Sequence, residues 1–272
     1  MEIRFILLFL LFFPLIYLNS FAEIKEKEIK DMVYIPAGEF TMGRAFKLNY
    51  WVPNMYNPRS EEPAHKVFVD AFYIDKYEIT NEDYKRFISA TSRHAPPSLS
   101  DSNFNEPKQP VVTVTWEDAV AYCIWVEKRL PTEDEWEKAA RGNDGRKYPW
   151  GNQWDPMRAN YGFNDDGRWA KEPEYRKPSR VGSYPLGASP YGVMDMCGNV
   201  WEWTSSLWKP YPYDAKDGRE NSKVLGERVV RGGAYDSMGG QLVMTYRDHM
   251  ASKDDNGYDM GFRCAKSATE RK

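Results

Sequence analysis

Residues 195–204 read DMCGNVWEWT, and the glycine, asparagine and tryptophans of this stretch are typical of the chain around it. Between residues 142 and 266, Gly, Pro, Asn and Trp crowd together, and the strand candidates are short, such as residues 228–231 and 261–264. We therefore expect no long helix in this part of the chain. Backbone groups in so irregular a segment must be satisfied by turns, side chains or bound ions. The 10 Trp, 18 Tyr and 13 Phe are expected to supply the packing.

Three helices are predicted to begin at threonines that precede an acidic residue by three positions: Thr80, Thr115 and Thr132. A threonine hydroxyl can cap the exposed N–H groups of a helix start, and the acid favours its positive end. The apolar residues behind each threonine recur at near-helical spacing, which predicts that they face the core. They are Tyr84, Phe87 and Ile88, then Ala119, Tyr122, Cys123 and Val126, then Trp136, Ala139 and Ala140.

The strand signals before these helices are limited. Residues 32–40 indicate a brief strand that ends in a turn, and residues 66–74 alternate as a second strand. The segments 49–64 and 92–110 are rich in Pro, Asn and Ser and are interpreted as linkers. Because no internal repeat is visible in the 272 residues, one domain over residues 32–266 is predicted.

The amino terminus has the pattern of a signal peptide. Arg4 precedes an apolar run over residues 5–18, and Ser20 to Ala22 form a small-residue cleavage pattern. The alternative is an uncleaved anchor, but the run is short against the roughly 20 residues that span a bilayer. We expect a signal peptide at 1–22, a charged leader at 23–31 and a tail at 267–272, and hence an exported protein, periplasmic or secreted, without an integral membrane span after cleavage.

The charge of the chain disfavours two classes of partner. It has 37 Lys and Arg against 40 Asp and Glu, a formal net charge of -3, and no basic tract. Nucleic acids and anionic lipids both demand a basic surface. We expect neither as a partner.

Seven separated blocks, in order, resemble the formylglycine-generating enzyme (sulfatase-modifying factor) family. They are residues 33–43, 77–81, 128–133, 148–152, 198–204, 231–235 and 261–264. The resemblance covers almost the whole chain after the leader. It implies a single compact α+β domain of low regular content, the formylglycine-generating-enzyme fold, which is related to C-type lectin-like domains.

The resemblance also implies a pairing for two of the three cysteines. In the family, a cysteine on the helix before the block at 128–133 is bonded to one in the closing block, which here means Cys123 with Cys264. The alternative is that both are buried free thiols. Cys197 has no evident partner, and we expect it to be an inert thiol in a turn.

The copper chemistry of the family's oxidases is not expected here. Those enzymes carry two cysteines after the block at 231–235, and soft thiolates are what copper(I) requires. Ser237 and Leu242 stand at the two cysteine positions, and Ala234 replaces a family serine. Iron held by clustered histidines, as in other members, is equally unexpected because His65, His94 and His249 are widely spaced.

Calcium is the cofactor that the resemblance favours, in a structural role. The family's donors map onto Asp195, the carbonyls of Gly198 and Val200, and Glu202, all oxygen ligands of the kind that calcium accepts. The alternative is that Asp195 caps the turn and Glu202 pairs with an arginine. A second family site maps onto Asn160 and the carbonyl of Tyr161, with Glu174 as a guess for its acid.

Candidate catalytic residues in the family's cleft are Trp201, Ser237, Tyr246, Arg247, Asp248 and His249. The alternative is that Tyr246 and Arg247 pack and pair structurally, because no recognised triad or metal spacing is present. The sequence thus predicts a calcium-stabilised binding or accessory protein for an unknown peptide, protein or small molecule. A non-copper oxidase resembling the family's pyoverdine-maturation members is the alternative, and formylglycine generation is disfavoured.

Overall fold

Three capped helices lie in the first half of the domain in the computed structural model, which describes residues 31–46, 58–164, 168–171, 176–252 and 256–268. They are α1 (Asn81–Thr91), α2 (Trp116–Trp125) and α3 (Glu133–Arg141). The hydroxyl of Thr80, Thr115 or Thr132 accepts a hydrogen bond from the backbone N–H three residues further on. The three predicted helix starts are therefore confirmed, and the predicted core faces pack inward.

Nine strands are assigned within the described residues. They are β1 (Met32–Ile35), β2 (Gly38–Met42), β3 (His65–Val69), β4 (Phe72–Asp75), β5 (Trp201–Leu207), β6 (Glu227–Arg231), β7 (Asp248–Ala251), β8 (Met260–Gly261) and β9 (Ala265–Ser267). They form a three-stranded sheet in the order β1-β4-β9, the pair β2-β3, and a four-stranded sheet in the order β7-β6-β5-β8. In the last sheet β8 runs parallel to β5, and the other neighbours are antiparallel.

Several strand predictions were wrong in detail. The stretch 66–74 is two strands in different sheets, because strand pairing is interrupted at the exposed Asp70 and at Ala71 while the apolar alternation continues across the break. Residues 36–37, which lie in no strand, likewise divide 32–40 into β1 and β2. Only Gly261 of the stretch 261–264 lies in a strand, and pairing resumes at Ala265. The longest strand, β5, was not predicted.

The disulfide between Cys123 and Cys264 is present, as the resemblance implied. It joins α2 to the segment between β8 and β9, and both cysteines are fully buried. Beyond Arg141 the described chain contains no α-helix, only strands, turns and short 3-10 segments, which confirms the expected low regular content.

The chain divides into two units, Met1–Met32 and Val33–Lys272, and the second is a single compact domain. The predicted signal peptide at 1–22 and most of the leader lie outside the described residues, as does the end of the predicted tail. Within the described part, no helix is long and apolar enough to cross a bilayer.

Candidate functional site

The stretch between Asp195 and Trp201 is a tight turn that leads into β5. Asp195, Gly198 and Asn199 have left-handed backbone conformations, with φ of 59°, 79° and 69°. The Asn199 N–H donates to the carbonyl of Asn160 at 2.8 Å, and a Cβ atom on Gly198 would lie 2.1 Å from that oxygen. Glycine at position 198 therefore lets the turn approach residue 160 closely.

Glu202, on β5, points into the interior, where both of its carboxylate oxygens are paired. Arg263 Nε donates to Oε2 at 2.6 Å and Nη2 donates to Oε1 at 2.7 Å, which forms a bidentate ion pair. Trp136 Nε1 also donates to Oε2, at 2.8 Å. The contacts of Glu202 are therefore those of the arginine pair that was the alternative to calcium binding.

Asp195 lies in the same buried region, close to a second acid, Glu78. Asp195 Oδ2 accepts a 2.6 Å hydrogen bond from the N–H of Gly182, which lies in a different loop, 13 residues earlier in the chain. Glu78 Oε1 accepts from Asn199 Nδ2 at 2.9 Å, whereas no N–H or hydroxyl group donates to the buried Glu78 Oε2. The Glu78 and Asp195 carboxyl groups are close enough to share a proton through a hydrogen bond. A buried carboxylate oxygen of this kind is costly unless a proton or a cation satisfies it.

Three acids in this region face one positive side chain. Burial, reinforced by the Asp195 carboxylate, raises the pKa of Glu78 well above its ordinary value. Burial, reinforced by Glu202, raises the pKa of Asp195 to about 6. Arg263 compensates one negative charge, so full ionisation of the three acids would leave two negative charges without a counter-charge. The region is thus suited to a divalent cation or to protons.

Side chains alone do not complete a metal site in the part of the chain that the structure describes. No three His, Cys, Asp or Glu side chains there are grouped so as to hold an ion. An ion between Asp195 and Glu78 therefore needs backbone oxygens, such as the carbonyls of Gly198 and Val200. The sequence did not predict Glu78, although it lies in one of the family blocks, because its contact with Asp195 arises only in the folded chain.

The second predicted calcium site contains a lysine. Lys171 Nζ donates a short hydrogen bond to Asn160 Oδ1 and another, of 2.9 Å, to the Tyr184 hydroxyl. Burial lowers the pKa of Lys171 from 10.5 to about 8, so the side chain remains mostly protonated at neutral pH. The Asn160 oxygen therefore already binds a positive group at the position where the sequence predicted a calcium ion. The other predicted donors are the carbonyl of Tyr161, beside Asn160, and Glu174, which lies outside the described residues.

The two positions that carry copper ligands in the family's oxidases are filled by core residues. Ser237 is buried, and its Oγ accepts a 2.8 Å hydrogen bond from the Ala234 N–H. Leu242 is fully buried among apolar side chains. The free thiol of Cys197 donates to the Leu242 carbonyl at 3.3 Å, and burial raises the pKa of this thiol. Cys197 is therefore held in the inert protonated form that the sequence predicted.

Three of the candidate catalytic residues come together. The rings of Trp201 and Tyr246 have centroids 5.9 Å apart, and the Tyr246 hydroxyl donates to Asp248 Oδ2 at 3.4 Å. Burial raises the pKa of Asp248. A tyrosine hydroxyl next to such an acid can exchange a proton with it.

Arg247 and His249 have other partners. Arg247 Nε and Nη2 donate to the two oxygens of the buried Glu133 at 2.7 and 2.8 Å. His249 Nδ1 lies 3.2 Å from Glu227 Oε2, and its ring packs at 4.4 Å against Trp208. The contacts of Arg247 are those of the structural alternative. His249, on β7, contacts Glu227 on β6 and Trp208 directly after β5.

An aromatic cleft of about 400 Å³ adjoins the segment that contains Ser237. It is lined by Tyr148, Trp154, Pro156, Tyr161, Phe163 and Asn164, with Gly239 at the edge. The N–H groups of Gly162 and Phe163 donate to the Ser237 carbonyl at 3.1 and 3.2 Å, which holds this part of the cleft wall beside residue 237. Pockets lined by aromatic rings with few polar groups are typical ligand sites.

The chain is similar to known proteins over most of its length. A sequence profile described as "Sulfatase-modifying factor enzyme 1-like domain" matches residues 19–268. The formylglycine-generating enzyme of Mus musculus is 31% identical over 292 residues, which cover 87% of this chain and 75% of that protein. The Mus musculus protein named inactive C-alpha-formylglycine-generating enzyme 2 is 32% identical over 288 residues, which cover 87% and 86%.

Solved structures with the same fold are also found. PvdO from Pseudomonas aeruginosa superposes with a TM-score of 0.66 at 25% identity, covering 87% of this chain and 94% of that one. CarF superposes with a TM-score of 0.64 at 20% identity, covering 88% and 98%, which supports the similarity of fold.

Proposed function

The chain belongs to the sulfatase-modifying factor enzyme 1-like family and has its formylglycine-generating-enzyme fold, and from this premise we propose that it is an exported, calcium-stabilised binding or accessory domain without copper-dependent oxidase chemistry. The observation that carries the proposal is the pair of residues at the copper positions. Ser237 gives its lone pair to a backbone N–H, and Leu242 has no donor atom. Neither can supply the soft thiolate that copper(I) requires.

The proposed ligand site is the aromatic cleft beside Ser237. The rings of Trp154 and Tyr161 pack edge to face with centroids 5.0 Å apart, and the Tyr161 hydroxyl donates to Asn164 Oδ1 at 3.0 Å. Such a rigid aromatic wall offers apolar contact area, and the Asn164 amide offers polar recognition. A peptide, a protein segment or a small molecule is the proposed class of ligand.

The calcium part of the proposal is supported by the buried Glu78 Oε2, to which no N–H or hydroxyl group donates, and by the excess of buried acid around Asp195. Asp195, the carbonyls of Gly198 and Val200, and Glu78 would hold the ion, while Glu202 contributes its charge and keeps Arg263 in place. A bound calcium ion would supply the missing positive charge and hold the turn before β5 in its left-handed conformation. Its role is structural.

Thermal unfolding in calcium and in chelator tests this part. Binding to the folded state alone raises the melting temperature by mass action, so the wild type should melt higher as calcium increases. Asp195→Ala should abolish most of this response, whereas Ala in place of the exposed Asp70 should preserve it. A wild-type melting temperature that is the same in calcium and chelator would contradict the calcium proposal.

Copper(I) titration against a competing chelator tests the other part of the proposal, that the domain has no copper-dependent oxidase chemistry. We expect no stoichiometric copper binding that survives the chelator, together with no formylglycine formation in a cysteine-containing peptide. Tight binding of one copper per chain would overturn the proposal and would require a search for other thiolate or imidazole ligands.

A non-copper oxidase is the second candidate, and the contact of Trp201, Tyr246 and Asp248 favours it. An oxidase that passes substrate electrons to oxygen consumes oxygen when its substrate is present. Oxygen uptake that is lost in Tyr246→Phe, with the melting temperature preserved, would establish this candidate over the binding domain.

A further inference from the structure

We propose that the ammonium group of Lys171 is a built-in cation that takes the place of a metal ion beside Asn160, so that the second of the two calcium sites implied by the family resemblance does not form there. The inference rests on the family membership and on the hydrogen bonds of Asn160. It does not require calcium to bind at Asp195.

The hydrogen bonds around Asn199 determine which atom of Asn160 faces Lys171. The Ser179 backbone N–H, which can only donate, donates to Asn199 Oδ1 at 2.9 Å. Asn160 Nδ2 must therefore be the atom that donates to the same oxygen at 3.1 Å, and it also donates to the Lys177 carbonyl at 3.0 Å. Because both partners of Nδ2 are acceptors, Asn160 Oδ1 must face the other side.

Lys171 Nζ lies on that other side. It donates to Asn160 Oδ1 and to the Tyr184 hydroxyl, and it lies 5.3 Å from the centroid of the Tyr184 ring. Among the described residues no carboxylate forms an ion pair with Lys171. Its positive charge is stabilised instead by an amide oxygen, a hydroxyl and an aromatic face, which are neutral groups that favour a cation.

A calcium ion cannot share this position. The Asn160 oxygen that would bind the ion is taken by the ammonium, and two positive groups on one oxygen repel each other strongly in a partly buried environment. Asn160 itself is almost completely buried, and its amide is held at both ends, so it cannot turn to offer another oxygen. The lysine therefore holds Asn160 in place, as a bound metal ion would, at any calcium concentration.

A chain of hydrogen bonds connects Lys171 to the calcium position proposed beside Asp195 and Glu78. Lys171 donates to Asn160, Asn160 to Asn199, and Asn199 Nδ2 to Glu78 Oε1 at 2.9 Å. One end of this chain of hydrogen bonds carries a fixed positive charge and the other end carries the acids. The two positions consequently have opposite requirements: the Glu78 end needs a cation, and the Asn160 end already has one.

Melting temperatures of Lys171→Met and Lys171→Arg in calcium and in chelator test the inference, with Met in place of the exposed Lys216 as the control. Lys171→Met keeps the apolar stem but removes the charge, so it should lower the melting temperature by a few degrees in chelator, where no calcium ion can take the vacated place. Lys171→Arg should recover part of the loss. The Lys216 variant should melt like the wild type.

Calcium stoichiometry separates this inference from the calcium proposal at Asp195. In Asp195→Ala we expect no bound calcium, because Lys171 excludes it from Asn160. An ion retained in Asp195→Ala and lost on adding Asn160→Ala would overturn the inference, as would a Lys171→Met protein that melts like the wild type in chelator. If the wild type shows no calcium response but Lys171→Met melts lower in chelator, the Asp195 proposal fails and the lysine inference stands.

Discussion

Arg263 is the single side chain on which the buried acids depend most. Its guanidinium donates to Glu202 and to the carbonyl of Met194, at 2.9 Å, and it is fully buried. Removing one partner of a buried ion pair leaves the other charge uncompensated, whereas exposed pairs contribute little. The free-energy cost of removing one partner of an ion pair therefore depends on how buried the pair is more than on its hydrogen-bond geometry.

We expect Arg263→Met to destabilise the domain by about 3–5 kcal/mol in chelator. Arg180→Met, which breaks an exposed pair with Glu106, should change stability by less than about 1 kcal/mol. Urea unfolding measures both. Equal effects of the two substitutions would show that the buried acids are protonated and do not need the guanidinium.

Individual residues differ in how far the sequence could predict them. The pairing of Cys123 with Cys264 and the inert state of Cys197 followed from family pattern and composition. The roles of Glu78 and Lys171 could not be predicted in this way. Glu78 acquires its role from Asp195, which is distant in sequence, and Lys171 is absent from the family pattern. The family pattern predicts which residues could donate ligands to an ion. It does not predict which other charged side chains the fold places next to them.

The first turn of helix α3 contains an aspartic acid, Asp134, whose pKa lies above its ordinary value. Asp134 is almost completely buried in the first turn, and burial, reinforced by Glu135, raises its pKa from 3.8 to about 7. The folded state therefore binds this proton more tightly than the unfolded state does. Stability from this group is present below about pH 4 and is lost as the pH rises through 7.

Asp134→Asn should remove this pH dependence. The wild type should lose stability between pH 4 and pH 8, by at most about 4 kcal/mol for a difference of about three pH units, relative to the variant. Chemical unfolding at several pH values measures the difference. An Asn substitution at the exposed Asp70 should preserve the wild-type slope, and a constant difference between wild type and Asp134→Asn at all pH values would contradict the raised pKa.

Secondary structure was predictable where local chemistry determines it. The capping threonines fix the starts of α1, α2 and α3 through contacts within one turn. Strand β5 was missed because both of its faces are buried and carry polar side chains, such as Glu202, Thr204 and Ser206, so neither alternation nor an apolar run is visible. The strands that pair with β5, which are β6 and β8, come later in the chain and cannot be read from the sequence of β5 itself.

The disulfide constrains the molecule as a whole because it joins residues 141 positions apart. In the chain-entropy description a loop of this length contributes about 4–5 kcal/mol. Reduction should therefore lower the melting temperature more than any exposed substitution does.

Thiol counting checks the predicted state of all three cysteines. The native protein should show no reactive thiol, because Cys197 is buried, and the unfolded, unreduced protein should show one. Three reactive thiols after unfolding without reductant would mean that Cys123 and Cys264 are not bonded.

The order of the three-stranded sheet has a consequence for the two ends of the domain. β1 and β9, the first and last strands, lie on either side of β4. With neighbouring strands about 5 Å apart, the points where the chain enters and leaves the domain are within about 20 Å of each other. A short peptide linker can bridge that span, so the fold suits circular permutation, and it can be grafted into a surface loop of another protein without forcing the host's own strands apart.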